Sequence, residues 1–224
     1  MLTRPRVILF DVNETLSDMR PLADRFTDVG APAHLAALWF AGVLRDGFAV
    51  TAAGERASFG AIATDCLRRQ LADVRLVGAD DAAVAHIMAG FAGLDVHADV
   101  PPGLAALTDA GLRLATLSNG AAQVAETLLG RAGLREAFER VLSVDDAAAW
   151  KPARAAYEYA VTVLGVRPSE VMLVAVHPWD IHGAARAGLQ TAWLNRPGGT
   201  YPGYFAEPTV SIRSLTDLAG SLPA

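Results

Sequence analysis

The sequence predicts an α/β fold: a doubly wound, mostly parallel sheet with an all-helical cap inserted after the first strand. Three observations predict it. Short apolar, β-rich runs alternate with helical stretches from residue 103 to 194, the pattern of crossover-connected parallel strands. A first apolar run at 6–10 is separated from them by an Ala/Leu/Arg-rich interval with helical spacing and no convincing strand. Polar groups then recur just beyond the strand ends, where open parallel sheets bind ligands.

In chain order, Arg6-Val-Ile-Leu-Phe10 reads as a buried strand. The interval Asp18 to His97 reads as the cap, with linkers near Ser17 to Pro21 and Asp95 to Pro102, closed by Pro101-Pro102. The expected division is a core of residues 1–18 and 98–224 and a cap of residues 19–97. Later strands are expected at Leu112–Leu117, Val141–Val144, Val171–Val176 and Thr191–Leu194. Helices are expected at Gly103–Ala110, Ala121–Ala132, Ala153–Leu164 and Ile181–Ala187. The Gly- and Pro-bearing segment Asn195 to Pro208 reads as a loop.

Composition narrows the function. Hydrophobic content of 52% supplies a sizeable core, and a net charge of −5 with no basic stripe argues against nucleic acid. The one cysteine, Cys66, excludes an internal disulfide and fits a reducing compartment. No leader is expected, because the run Val7 to Phe10 is short and meets Asp11, and no apolar stretch reaches the roughly 20 residues of a bilayer span. These features suggest a soluble, cytoplasmic protein. Of its 19 basic residues, Lys151 in Trp150-Lys151-Pro152 is the one lysine. A compact ammonium enters sites that exclude a planar guanidinium, so the exception points to a specific role.

Four polar groups follow four strands. Asp11 follows the first, within FDVNETL; Ser118-Asn119-Gly120 follows the second; Lys151 follows the third after a short loop; and His177-Pro178-Trp179-Asp180 follows the fourth. Each alone has an ordinary explanation as a turn, cap or core residue. Together they are hard to explain by packing.

These segments resemble the haloacid dehalogenase-like superfamily with its Rossmann-like core, and within it the type II L-2-haloacid dehalogenases. FDVNETL is similar to the first motif, LSNG to the second, Lys151-Pro152 with Tyr157 to the third, and AVHPWDIHGA (175–184) to the fourth. The resemblance implies Asp11 as nucleophile with Thr15 beside it, and Lys151, Tyr157, Asp180 and His177 as further catalytic groups. It implies Ser118 and the backbone amides of Val12 and Asn13 for the substrate carboxylate. Asn119, Trp179 and a cap arginine, Arg45, are implied for the halide. A homodimer and a small 2-haloacid substrate follow from the same resemblance, with no membrane partner and no cofactor.

Most members of the superfamily are magnesium phosphatases, and a catalytically silent interaction protein is a third class. A phosphatase wants an Asp where this chain has Asn13, and a metal-holding carboxylate where it has Val176. Valine offers a hard cation no oxygen. The expected chemistry is therefore metal-independent, with Asp11 attacking the halogen-bearing carbon and water hydrolysing the ester with help from Asp180. The chain departs from the dehalogenase pattern at Asn13, where an aromatic is common, and at Ala175 and His177, where Ser and Asn are common. His177 is thus expected to replace Asn as a partner of water or of Asp180.

Overall fold

The computed structural model describes residues 2–147 and 149–223. Among them six strands form one parallel sheet: β1 (Val7–Phe10), β2 (Arg113–Ser118), β3 (Arg140–Ser143), β4 (Val171–Ala175), β5 (Gln190–Leu194) and β6 (Val210–Ile212), in spatial order β3-β2-β1-β4-β5-β6. The five expected strands are present, and β6 is an addition. It holds its place by pairing, with Val210 opposite Ala192 and Ile212 opposite Leu194.

This order makes β1 the switch point. The chain leaves β1 to build β2 and β3 on one side, then returns to build β4, β5 and β6 on the other. A crevice therefore opens beyond the carboxyl end of β1, flanked by the ends of β2 and β4. The register places Phe10 opposite both Thr116 and Val174, so Asp11, Ser118 and the segment after Ala175 emerge together. Strands β1 and β4 are fully buried along their lengths, which explains their unbroken apolar runs.

The chain divides into two compact units, one of residues 1–17 and 96–224, the other Asp18–Asp95. In the α/β unit, helices α5 (Val100–Asp109), α6 (Ala122–Arg131), α7 (Arg154–Leu164), α8 (Pro178–Arg186) and α9 (Leu218–Ser221) accompany the sheet. Two of them begin earlier than expected, for one reason. Pro101 and Pro102 lie in the first turn of α5, and Pro178 opens α8, where a missing N–H removes no helical hydrogen bond. Trp179 and Asp180 consequently sit in a helical first turn. The core of this unit joins Ile8, Phe10, Leu104, Leu114, Met172 and Val174, each burial stabilising by about 1.5–3 kcal/mol.

The second unit holds α1 (Leu22–Asp28), α2 (Leu35–Ala52), α3 (Phe59–Leu71) and α4 (Asp80–Ala92). Its interior is aromatic. Trp39 meets Phe91 edge-on with centroids 5.5 Å apart, Phe59 stacks on Phe91 at 5.4 Å, and the Trp39 indole N–H donates to the Ala63 carbonyl at 2.9 Å. With 18 residues, α2 is the one helix among the described residues long and apolar enough, by length and composition, to cross a membrane. The same helix carries Arg45 and Asp46 and buries Trp39, Phe40 and Val43.

Candidate active site

Asp11 leaves β1 with its backbone N–H still donating to the Val174 carbonyl at 3.0 Å. The chain then turns sharply: the amides of Leu16 and Ser17 both donate to the Val12 carbonyl. Glu14 completes the turn in the left-handed region, with φ 62°, and is the one non-glycine there among the described residues. That conformation is costly for a side chain with a Cβ and is held by its surroundings. The Glu14 amide donates to Ser17 Oγ at 3.2 Å. The turn brings Thr15 Oγ1 to donate to Asp11 Oδ2 at 2.6 Å, while accepting from the Val176 amide at 3.1 Å. Thr15 thus ties the turn after Asp11 to the end of β4.

Lys151 is the centre of charge. Its side chain is 0% exposed, and Nζ donates to Asp11 Oδ1 at 2.8 Å and Asp180 Oδ2 at 2.6 Å. Nζ also stands 5.9 Å from the Trp179 ring centroid, within cation–π range. Asp180 takes a second hydrogen bond on Oδ1 from the Tyr157 hydroxyl at 2.6 Å. This contact exists because residue 183 is glycine. A Cβ at Gly183 would lie 2.6 Å from the Tyr157 oxygen and 2.6 Å from Pro152 Cβ. Gly183 is a site residue that sequence reasoning missed, and a glycine inside a helical stretch was its one available signal.

The electrostatics follow from burial opposed by neighbours. Burial alone would raise Asp11, but the charges of Lys151 and His177 and hydrogen bonds from Lys151 and Thr15 overcome it and hold the carboxyl below its ordinary value of 3.8. Asp180 goes the other way, raised by burial and by the charge of Asp11 against the pull of Lys151. The two acids are thereby separated into a resident anion and a group that takes a proton more readily. Burial would lower Lys151, yet the two carboxylates raise it, so it stays an ammonium. Tyr157 is pushed well above 10, by burial and by Asp180, and serves as a donor.

Asn119 has a structural part beside its expected one. Its Oδ1 accepts from the Lys151 amide at 2.9 Å and its Nδ2 donates to the Lys151 carbonyl at 3.2 Å. Both ends of the amide thus fix the Lys151 backbone, leaving the second Nδ2 hydrogen as what it can offer a halide. Ser118 Oγ accepts from the Gly120 amide at 2.9 Å, and the Gly120 carbonyl accepts from Ser143 Oγ at 2.9 Å. The Ser118 hydroxyl hydrogen is directed by neither bond.

His177 lies at the entry to α8 and stacks on Trp179, with centroids 5.0 Å apart and planes 19° apart. Its Nε2 donates to the Asn13 carbonyl at 3.2 Å, since a carbonyl only accepts. The same nitrogen is 3.6 Å from Asp11 Oδ2 and 3.6 Å from Glu14 Oε2. The structure thus brings together Asp11, Val12, Asn13, Thr15, Ser118, Asn119, Lys151, Tyr157, His177, Trp179 and Asp180 at one crevice of the α/β unit. Arg45 belongs to the helical unit, with an exposed side chain paired to Asp46 at 2.8 Å. Among the described residues no three His, Cys, Asp or Glu side chains converge as a metal site requires.

Comparison with known proteins fits this geometry. The family model for haloacid dehalogenase-like hydrolases matches residues 5–188. The (S)-2-haloacid dehalogenase of Pseudomonas sp. (strain YL) is 31% identical over 93% of this chain and 90% of its own length. A solved L-2-haloacid dehalogenase superposes with TM-score 0.92 at 30% identity, covering 99% of this chain and 100% of the other. The L-2-haloacid dehalogenase from Xanthobacter autotrophicus with chloropropionic acid covalently bound gives TM-score 0.86 at 26% identity, over 96% and 97% of the two chains. With an Asp–Lys–Asp centre at the switch point and likeness to these enzymes over nearly its whole length, the chain belongs to the haloacid dehalogenase-like hydrolase family.

Proposed function

We propose that this protein hydrolyses short L-2-haloacids to 2-hydroxyacids of opposite configuration, through an ester of Asp11 and without a metal. It is a hydrolase acting on carbon–halide bonds. The observation that carries the reading is the buried Lys151 ammonium shared by Asp11 and Asp180, with Asn13 and Val176 at the two places a phosphatase fills with carboxylates. The residues present do not make a magnesium site, so no step is assigned to one.

In the first step an Asp11 oxygen forms a bond to C2 from the side opposite the halogen, and the halide leaves with the electron pair of the broken bond. One displacement inverts the carbon. Lys151 neutralises the approaching carboxylate, Ser118 and the amides after Asp11 bind it, and Asn119, Trp179 and Arg45 serve the halide. In the second step water adds to the Asp11 ester carbon and the ester C–O bond breaks, returning the Asp11 carboxylate. Covalently bound chloropropionic acid in the Xanthobacter relative supports such an intermediate.

The test is halide release from a panel of 2-haloacids in the presence of EDTA, with a chiral assay of product. Release with inversion is expected. Loss of turnover in EDTA, retained configuration, or magnesium-dependent phosphate release without halide release overturns the reading. A single turnover in heavy-oxygen water should leave the first product unlabelled, its new oxygen coming from Asp11. The same reading takes the enzyme as a cytoplasmic homodimer, which light scattering and cell fractionation check.

A further inference from the structure

Each turnover of ester hydrolysis leaves one proton behind. Water supplies two: one completes the hydroxyl of the product and the other must reach solvent. The Lys151 side of Asp11 offers no way out. Lys151 and Asp180 are 0% exposed and Tyr157 is buried, so a proton taken by Asp180 has no direct route to solvent. On the other side exposure rises step by step, with side chains of Asp11 at 6%, His177 at 11% and Glu14 at 43%. His177 Nε2, whose hydrogen goes to the Asn13 carbonyl, stands 3.6 Å from a carboxylate oxygen of each, so Asp11 and Glu14 flank the same ring nitrogen on the open side of the site.

We propose that Glu14, joined to Asp11 through His177, is the outlet by which the proton of ester hydrolysis leaves the site. This rests on the dehalogenase reading above and deepens it. Water forms a bond to the Asp11 ester carbon, and one of its protons passes through solvent water on this open side to the Glu14 carboxylate. The ester C–O bond breaks, its electron pair goes to the product oxygen, and that oxygen takes up water's other proton. Protonated Glu14 then releases to solvent. His177 positions the chain of donors and acceptors and stands between two like charges that would otherwise repel.

Two further observations agree. Glu14 occupies a left-handed backbone conformation that disfavours any residue with a Cβ, so its carboxylate is retained there at a cost. Burial, the largest influence, and the charge of Asp11 raise Glu14 against the opposing effect of His177, which makes it a readier proton acceptor than an ordinary glutamate. The titratable side chains set against it are His177 and Asp11, and His97 Nε2 donates to its backbone carbonyl at 3.0 Å.

The test compares wild type, Glu14→Gln and Glu14→Gly by rapid quench at low buffer concentration, following halide release and hydroxyacid formation separately. Gln keeps the shape, while Gly relieves the backbone and guards against misfolding. In both variants ester hydrolysis should slow on the order of 10²-fold, more than halide release, and added imidazole or formate should restore it. Turnover at the wild-type rate, or slowing that no buffer rescues in either variant, overturns the proposal. If the wild type itself releases no halide, the dehalogenase reading has failed instead.

Discussion

Among the described residues, the helical unit buries Phe26, Trp39, Phe40, Phe59 and Phe91 and no polar or charged side chain. The α/β unit buries Asp11, Asn13, Thr15, Ser118, Asn119, Lys151, His177 and Asp180. Apolar burial needs only shape and area, whereas a buried charge demands a partner at a fixed distance and angle. In one unit many sequences would serve. In the other, each polar residue constrains the next, and the constraint radiates from Lys151.

The largest expected effect tests that centre. Lys151→Ala leaves two buried carboxylates facing each other, and should cost about 3–5 kcal/mol of stability and at least about 10²–10³ in rate. Lys151→Arg keeps the charge and should fold, yet lose activity on the same order, because a planar fork cannot address both carboxylates as Nζ does. Chemical denaturation and chloride release give the two numbers. Near-native turnover in Lys151→Arg would break the comparison, since the site would then need charge alone.

In the helical unit, Trp39→Ala should cost about 3–5 kcal/mol by emptying the aromatic cluster. A denaturation midpoint unchanged from wild type would show that this interior does not depend on it. Gly183→Ala sets two effects against each other. Alanine gains about 1 kcal/mol of helix propensity, but overpacking against Tyr157 and Pro152 costs about 1–3 kcal/mol. A net loss of stability is expected, along with a fall in activity as Tyr157 leaves Asp180.

The dependence on pH sharpens the difference further. Asp11 is held below 3.8, so the stability from its ionisation is fully present above 3.8 and is lost as pH falls through the folded value. The advantage of wild type over Asp11→Asn should therefore shrink below pH 3.8, by no more than about 1.4 kcal/mol per pH unit. Asp180, being raised, works in the opposite sense and weakens the fold as pH rises above 3.8 through its own value. The smallest effect on stability belongs to Arg45→Ala, whose denaturation midpoint should match wild type, because the side chain is exposed. A drop in halide release by that variant would assign Arg45 to the reaction, and an unchanged rate would remove it.

Much of the site was legible because it is made of residue types at strand ends. Asp11 after VILF, Ser118-Asn119 after RLATL and the lone Lys151 announce themselves by position and composition. What was not legible depends on geometry. The left-handed turn at Glu14 is a backbone angle that no residue type encodes, since glutamate ordinarily avoids it. Gly183 matters through a contact with Tyr157 made across two helices. Asn119, which the resemblance assigns to the halide, also holds the Lys151 backbone at both ends of its amide, a contact that no residue type announces. Strand β6 has three residues and exists by pairing to β5, a tertiary cause. The starts of α5 and α8 were misplaced because proline marks both a break and a first turn.

The solitary lysine has a practical consequence. Since Lys151 is the one lysine in the chain and has 0% side-chain exposure, an amine-reactive reagent meets no ε-amino group on the folded protein. Apart from the α-amino terminus, labelling can proceed only when the α/β unit opens far enough to expose the Asp11–Lys151–Asp180 centre. The rate of modification at this single position therefore reads out the opening of that unit directly, with no engineered probe. The protein carries, in the residue at the heart of its site, a built-in reporter of its own unfolding.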